Sequence, residues 1–312
     1  RDTVGGLGLH RAAPVQYIRP EIIGLVLGAF LLSFIRGEHQ AKGGSAPMTR
    51  FILGFFVMIG CLMFLGCPFR LILRLAGGDW NAILGFVGFA VGIGAGTFFL
   101  KRGYSLKRTY SLPKFDTAVM PVLMVGLLIL VVAAPAFIFF SEKGPGAVHA
   151  FWAVSLIAGI VVGGLAQYTR LCMVGGIRDI ILFHETKLLM GFVAVFVAAF
   201  LVNLAFGNFH PGFANQPIAH TDGLWNFLGM ALAGFCSILL GGCPMRQLIM
   251  TGEGNTDSAI TVLGLVIGAA FAHNFGLAAG GNGPTFNGEV AVVLGFVVAL
   301  IIAVVNTRKQ GT

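Results

Sequence analysis

Cysteine, proline and arginine recur in one fixed order, as Gly66-Cys67-Pro68-Phe69-Arg70 and again as Gly242-Cys243-Pro244-Met245-Arg246. Proline is favoured at the first helical position, so Pro68 and Pro244 mark helix starts and put Cys67 and Cys243 at the N-caps. Unpaired amides and the positive end of the helix dipole then face whatever lies beside each thiol. Arg70 and Arg246 fall at the third helical position, where the dipole favours a carboxylate and disfavours a cation. A placement that opposes the dipole twice makes sense if an anion sits among amides, guanidinium and thiol. A polarisable sulfur suits a soft sulfur or selenium centre better than water or a hard metal ion. The plainer reading makes each cysteine a small apolar residue in a helix junction and each arginine a side chain snorkelling to headgroups. The duplication weighs against it.

Other residues are candidates of lesser weight. Cys172 follows Arg170 closely and precedes Gly175-Gly176, a pair expected to permit a chain break with exposed amides. Asp79, Asp179, Glu253 and Asp257 sit near the ends of the short segments and are expected to pair with the arginines or to carry protons, and Arg178 is a secondary candidate beside them. His273-Asn274 is a polar pair inside an apolar stretch, where an ionisable group is either functional or satisfied by a nearby carbonyl. Cys61 and Cys236 have no charged neighbour in sequence and read as packing, as does the stripe Gly85, Gly88, Gly92, Gly96. Five cysteines without a C-x-x-C pair indicate neither a disulfide framework nor a zinc knuckle. Phosphate-loop, zinc-protease and serine-hydrolase motifs are missing, so no catalytic residue, metal or cofactor is assigned and the chain does not read as an enzyme.

The elements that must position these residues are membrane helices. With 57% hydrophobic and 10% charged residues, the chain has too little polar surface to cover a water-soluble globule, and its 46 glycines suit close helix packing in lipid. A bilayer core needs about 20 apolar residues per helix. Nine segments meet that need, near 20–35, 51–65, 80–100, 117–140, 147–167, 187–206, 224–240, 258–277 and 288–306. The stretch from Cys67 to Gly78 is too short to cross and too apolar for a plain loop, and reads as a re-entrant helix. The net charge of +8 does not indicate nucleic acid, because the basic residues flank the spans. Arg36, Lys42 and Arg50, then Lys101 to Lys114, then Arg170, Arg178 and Lys187, and finally Arg308 with Lys309 thread to one side. That side is the cytoplasm by the positive-inside rule, which puts the C-terminus inside and residue 1 outside an inner or plasma membrane. No cleavable signal peptide is visible in the first twenty residues.

The motif repeats at a shift of 176 residues, which also carries Phe51 to Phe227 and Gly88 and Gly92 to Gly264 and Gly268. Five spans separate equivalent points, and an odd number reverses direction, so the repeats are expected to be inverted, as in many secondary transporters. The division expected is a first repeat over 1–116, a connecting helix and loop over 117–146, a second repeat over 147–285 and a final helix and tail over 286–312. Arg1-Asp2 aligns with Arg178-Asp179, and the apolar run before the second dipeptide has no counterpart before the first. An N-terminal helix bearing an equivalent of Cys172 is therefore expected ahead of residue 1.

These motifs, the stretch from Arg170 to Asp179, and Arg1-Asp2 followed by Leu9-His10-Arg11-Ala12 make the chain resemble the YeeE/YedE family of sulfur and selenium membrane transporters, on its YedE side. The resemblance implies an all-α, hourglass-like bundle with inverted pseudo-symmetry, whose short re-entrant helices meet at a central constriction. It implies uptake of a small sulfur- or selenium-containing anion, thiosulfate-like or a selenium species, handed along by transient sulfur contacts at Cys67, Cys243 and Cys172. A cytoplasmic sulfurtransferase-like acceptor follows from the resemblance alone. The residues leave a second use open, a membrane redox or sulfur-transfer protein working through the same thiols.

Overall fold

The computed structural model describes residues 1–307, so Arg308 and Lys309 lie outside the described residues. The chain is an all-α polytopic membrane protein. Its helices in order are α1 (Asp2–Gly6), α2 (Pro20–Ile35), α3 (Pro47–Phe64), α4 (Pro68–Ala76), α5 (Asn81–Lys101), α6 (Lys114–Ala133), α7 (Trp152–Thr169), α8 (Met173–Phe183), α9 (Lys187–Ala205), α10 (Gly223–Leu240), α11 (Pro244–Gly252), α12 (Thr256–Asn274) and α13 (Phe286–Val305). Among the described residues nine helical stretches are long and apolar enough to cross a membrane. Side chains such as Phe34, Ile35, Val122, Phe183, Leu201 and Val305 stay exposed on them, an arrangement that water would penalise and lipid does not.

The duplication is visible in helix boundaries. The span of α3 shifted by 176 residues is that of α10, and α4 shifted likewise is α11. Each of α3 and α10 ends with a residue in the left-handed region, Leu65 at φ 63° and Gly241 at φ 81°. Each is closed by the next amide, Gly66 N–H to the Cys61 carbonyl at 2.8 Å and Gly242 N–H to the Ser237 carbonyl at 3.0 Å. This is the Schellman closure. Leucine at that position costs about 1 kcal/mol that glycine does not, so the first copy of the turn before the thiol is the strained one.

The helices group into two compact units, each built from both halves of the sequence. The first contains Arg1–Phe51, Lys107–Arg170 and Arg246–Asn274. In it α2 and α7 lie so close that a Cβ at Gly24 or Gly28 would strike the carbonyls of Leu156 or Ile160, and one at Gly159 or Gly163 those of Glu21 or Leu25. Its apolar core joins Ile18, Ile23 and Val26 to Met124, Val131 and Ile138. The second unit contains Ile52–Leu106, Leu171–Met245 and the chain from Phe275 onward. There Gly88 and Gly92 of α5 meet the carbonyls of Phe227 and Ala231 of α10, and Gly85 takes the Phe64 ring. The glycine stripe is helix packing, as expected from its spacing.

Two expectations need correction. The span expected over 117–140 ends as helix at Ala133, because Ala134 adopts a left-handed conformation and precedes Pro135, which disfavours helix at the residue before it. Gly175-Gly176 does not break the chain. Both lie inside α8, where Gly176 gives room to the Leu189 backbone of α9. The break falls earlier, at Arg170, which is left-handed at φ 56°.

Candidate functional site

Cys67, Cys172 and Cys243 all belong to the second unit, as do Cys61 and Cys236. Cys67 is the N-cap of α4 with Pro68 at the first helical position, as its motif foretold, and its side chain makes no capping hydrogen bond. The amides of the first turn thus remain available beside the thiol. Cys67 is half-buried, whereas Cys243, immediately before Pro244 and α11, is 1% exposed. Cys172 is the N-cap of α8, and its Sγ accepts from the Gly175 amide at 3.3 Å. Each of the three sequence candidates therefore sits at the start of a short helix. Cys61 and Cys236, which read as packing, are buried, and Cys61 lies close enough to interact with both Cys67 and Cys236. Nothing in their sequence surroundings signalled that proximity, which arises only when α3 and α10 are folded.

The arginines of the two motifs have different surroundings. In the second unit Arg70 lines a cavity of about 530 Å³ together with Arg74, Asp79 and polar residues of the 203–217 segment. Arg74 donates to Asp79 at 2.7 Å and to the Phe64 carbonyl at 2.6 Å, and its guanidinium lies over the Phe64 ring. Asp79 also accepts from the backbone and side-chain amides of Asn81, both at 2.9 Å. In the first unit Arg246 meets Glu253 with two bonds, at 3.0 and 3.2 Å. Arg170 bridges that same Glu253 at 3.2 Å to Glu38 at 2.8 Å, and Arg36 adds a third cation at 3.0 Å from Glu38. Each of the four acidic residues lies beside an arginine, Asp79 and Glu253 as above. Asp179 takes Arg178 at 2.7 Å, and Asp257 takes Arg50 at 3.7 Å.

Arg1-Asp2 and Arg178-Asp179, aligned by the repeat, form the same local pair, arginine Nε to carboxylate at 2.6 and 2.8 Å. His273 packs against His10 in the first unit, with ring centroids 4.4 Å apart and the planes tilted by 34°. Among the described residues no three His, Cys, Asp or Glu side chains come together as a metal site. Sequence reading missed Arg74 and the 203–217 segment. The available signals were the four-residue spacing from Arg70 and the change from Arg74 to Met250 across the repeat.

One buried histidine gives the second unit a pH response. His220, 2% exposed, donates from Nε2 to the Met63 carbonyl at 2.8 Å. Burial lowers its pKa below 6.5, outweighing that bond, with Asp222, Asp79 and Arg74 as its charged neighbours. A depressed folded-state value means the unfolded chain binds the proton more readily, so stability is complete above about pH 6.5 and falls as pH drops toward the folded value. The melting temperature of purified protein is expected to fall between pH 7 and 5, and His220→Gln to flatten that slope. An unchanged slope in the variant would assign the pH response elsewhere.

Motif, thiols and arginines now have positions. Residues 168–309 match the family described as Sulphur transport. The match takes in Cys172, Cys243 and Arg246, and the internal repeat carries the same motif to Cys67 and Arg70. No curated protein matches the chain.

Proposed function

We propose that this protein is a membrane transporter that takes up a small sulfur- or selenium-containing anion through a constriction lined by Cys67, Cys243 and Cys172. The observation that carries the reading is the recurrence of one device, a cysteine immediately before a short helix and after a chain break, three times, with all three cysteines in one compact unit. First-turn amides and the dipole attract the anion, and the thiol offers a soft contact to its sulfur or selenium. The Sulphur transport match supports the sulfur class of cargo. Within this reading the two repeats are inverted, over 1–116 and 147–285, with a connecting helix and loop over 117–146 and a final helix and tail over 286–312. The C-terminus is cytoplasmic, and a sulfurtransferase-like acceptor receives the cargo there.

Proteoliposomes holding the full chain are expected to accumulate labelled thiosulfate or labelled selenite above the level of empty vesicles, with the label chemically unaltered. Whichever label enters names the substrate class. No uptake of either by folded protein would overturn the reading, and a label recovered as a different species would move the thiols to redox or sulfur transfer.

A further inference from the structure

The cavity beside Arg70 is built on one face of α4, from which Arg70, Leu73, Arg74 and Gly77 line it, following the i, i+3, i+4, i+7 spacing of a helix. The stripe extends back to Cys67, seven residues before Arg74 and so two turns away. The opposite wall is the last turn of α9 and the segment after it, which is fixed to the end of α4 by His210 N–H to the Gly77 carbonyl at 2.9 Å and Gly212 N–H to the Gly78 carbonyl at 3.0 Å. Asn203, Asn208 and His210 present polar side chains from that wall. Arg74 lines the cavity, is 7% exposed, and its Nη2 has no hydrogen-bond partner although its Nε and Nη1 do. A buried guanidinium donor is costly unless something accepts from it.

The same construction exists in the first unit with different residues. Gln40 N–H reaches the Glu253 carbonyl at 3.1 Å and Lys42 N–H the Gly254 carbonyl at 3.3 Å, so Gln40 stands for His210, and by the same register Glu38 stands for Asn208. Gly78 and Gly254 share φ +95°. Against that common frame Arg74 becomes Met250, Gly77 becomes Glu253 and Asn208 becomes Glu38. Where the second unit lines the cavity with Arg70, Arg74 and a single carboxylate, Asp79, already paired with Arg74, the first unit supplies two glutamates that engage Arg246 and Arg170.

We propose that the cavity lined by Arg70, Arg74, Asn203, Asn208 and His210 is a capture site for the oxygen end of a small divalent oxyanion, and that the first unit lacks it because Glu253 and Glu38 occupy the equivalent place. Arginines and amides read oxygen atoms by charge-assisted hydrogen bonds, and the thiol reads sulfur. The same helix face thus leads from an oxygen-reading pocket to a sulfur-reading cysteine. This deepens the transport reading, but capture by the pocket needs neither translocation nor a thiol. Lipid phosphate offers similar chemistry, and the free anion is the occupant assigned here, because neutral amide donors of the 203–217 segment complete the wall.

Labelled sulfate is the probe, since it has the charge and oxygens but no sulfane sulfur to meet a thiol. Full-length protein in zwitterionic nanodiscs is expected to bind it saturably. Gly77→Glu installs the first unit's carboxylate at the same seven-residue distance from its arginine. The site accepts a side chain, because Gly77 has φ −85° and a Cβ there would meet nothing nearer than 3.5 Å. That variant is expected to bind sulfate about tenfold to a hundredfold more weakly, the scale of losing one or two charge-assisted contacts, whereas Gly77→Gln keeps binding close to wild type. The paired change Arg74→Met with Asp79→Asn is expected to fold and to lose binding to the same degree. Absent sulfate binding by wild type, equal binding by Gly77→Glu, or displacement of sulfate by phosphatidylglycerol at the same site would overturn the capture site. Sulfate binding without thiosulfate or selenite uptake would leave the capture site standing and remove the transport reading, and uptake without sulfate binding would do the reverse.

Discussion

Cys67→Ala is expected to reduce uptake of labelled thiosulfate to the level of empty vesicles, a fall of roughly a hundredfold or more and so about 2.7 kcal/mol of barrier. Cys67→Ser is expected to fail nearly as fully. The argument rests on what each substitution leaves in place. Pro68 still starts α4, the Leu71 amide still closes on the residue 67 carbonyl at 2.9 Å, and Cys67 contributes no capping bond that serine must replace. Serine keeps the size and adds a hydroxyl but loses polarisability, so a deficit shared by both variants reports a soft sulfur contact rather than a hole in the packing. Cys243→Ala should show the same loss, with a larger stability penalty, because Cys243 is fully buried and Cys67 is not. Full uptake by Cys67→Ser would mean that a hydroxyl suffices and that the thiol is not the contact.

The second large effect is on stability. Arg74 and Asp79 form a buried pair, with side chains 5% and 4% exposed. Breaking such a pair by removing one member leaves an uncompensated buried charge, at a cost of about 3–5 kcal/mol. Asp79→Asn alone, and Arg74→Met alone, are each expected to melt far below wild type in detergent. The double variant reproduces Met250 and Asn255, the residues that occupy these positions in the other repeat. Replacing a buried pair as a unit is often neutral, so the double variant is expected to recover most of the loss. A double variant as unstable as the sum of its parts would show that the pair is not an exchangeable unit of the duplicated frame.

The fold was legible because lipid imposes simple demands. Length and apolarity marked the spans, proline after cysteine marked the starts of α4 and α11, and the shift of 176 residues marked the duplication that α3 and α10 obey to the residue. What could not be read was whatever depends on chain ends meeting. The 203–217 segment looks like an ordinary polar loop until its amides are found on the carbonyls of Gly77 and Gly78. Cys61 carries no local mark of its closeness to Cys236. Gly175-Gly176 misled because glycine serves packing as well as flexibility, and only the Leu189 backbone beside Gly176 decides which. The four acidic residues lie beside arginines, yet the sequence did not indicate that Arg246 would be engaged by Glu253 while the equivalent of Glu253 beside Arg70 is a glycine. That difference has its meaning only once each motif helix is placed in its own unit.

The central claim is that the passing anion contacts Cys67 through sulfur or selenium. It is tested most directly by the rate at which a small methanethiosulfonate reagent modifies Cys67, read by peptide mass spectrometry on protein in lipid, with and without thiosulfate or selenite. At ten times the half-saturating concentration of the transported anion, modification of Cys67 should slow roughly tenfold, as simple occupancy requires, while sulfate confined to the neighbouring cavity should leave it within a few-fold of the free rate. Modification of Cys67 at the same rate in the presence of the transported anion would contradict the account.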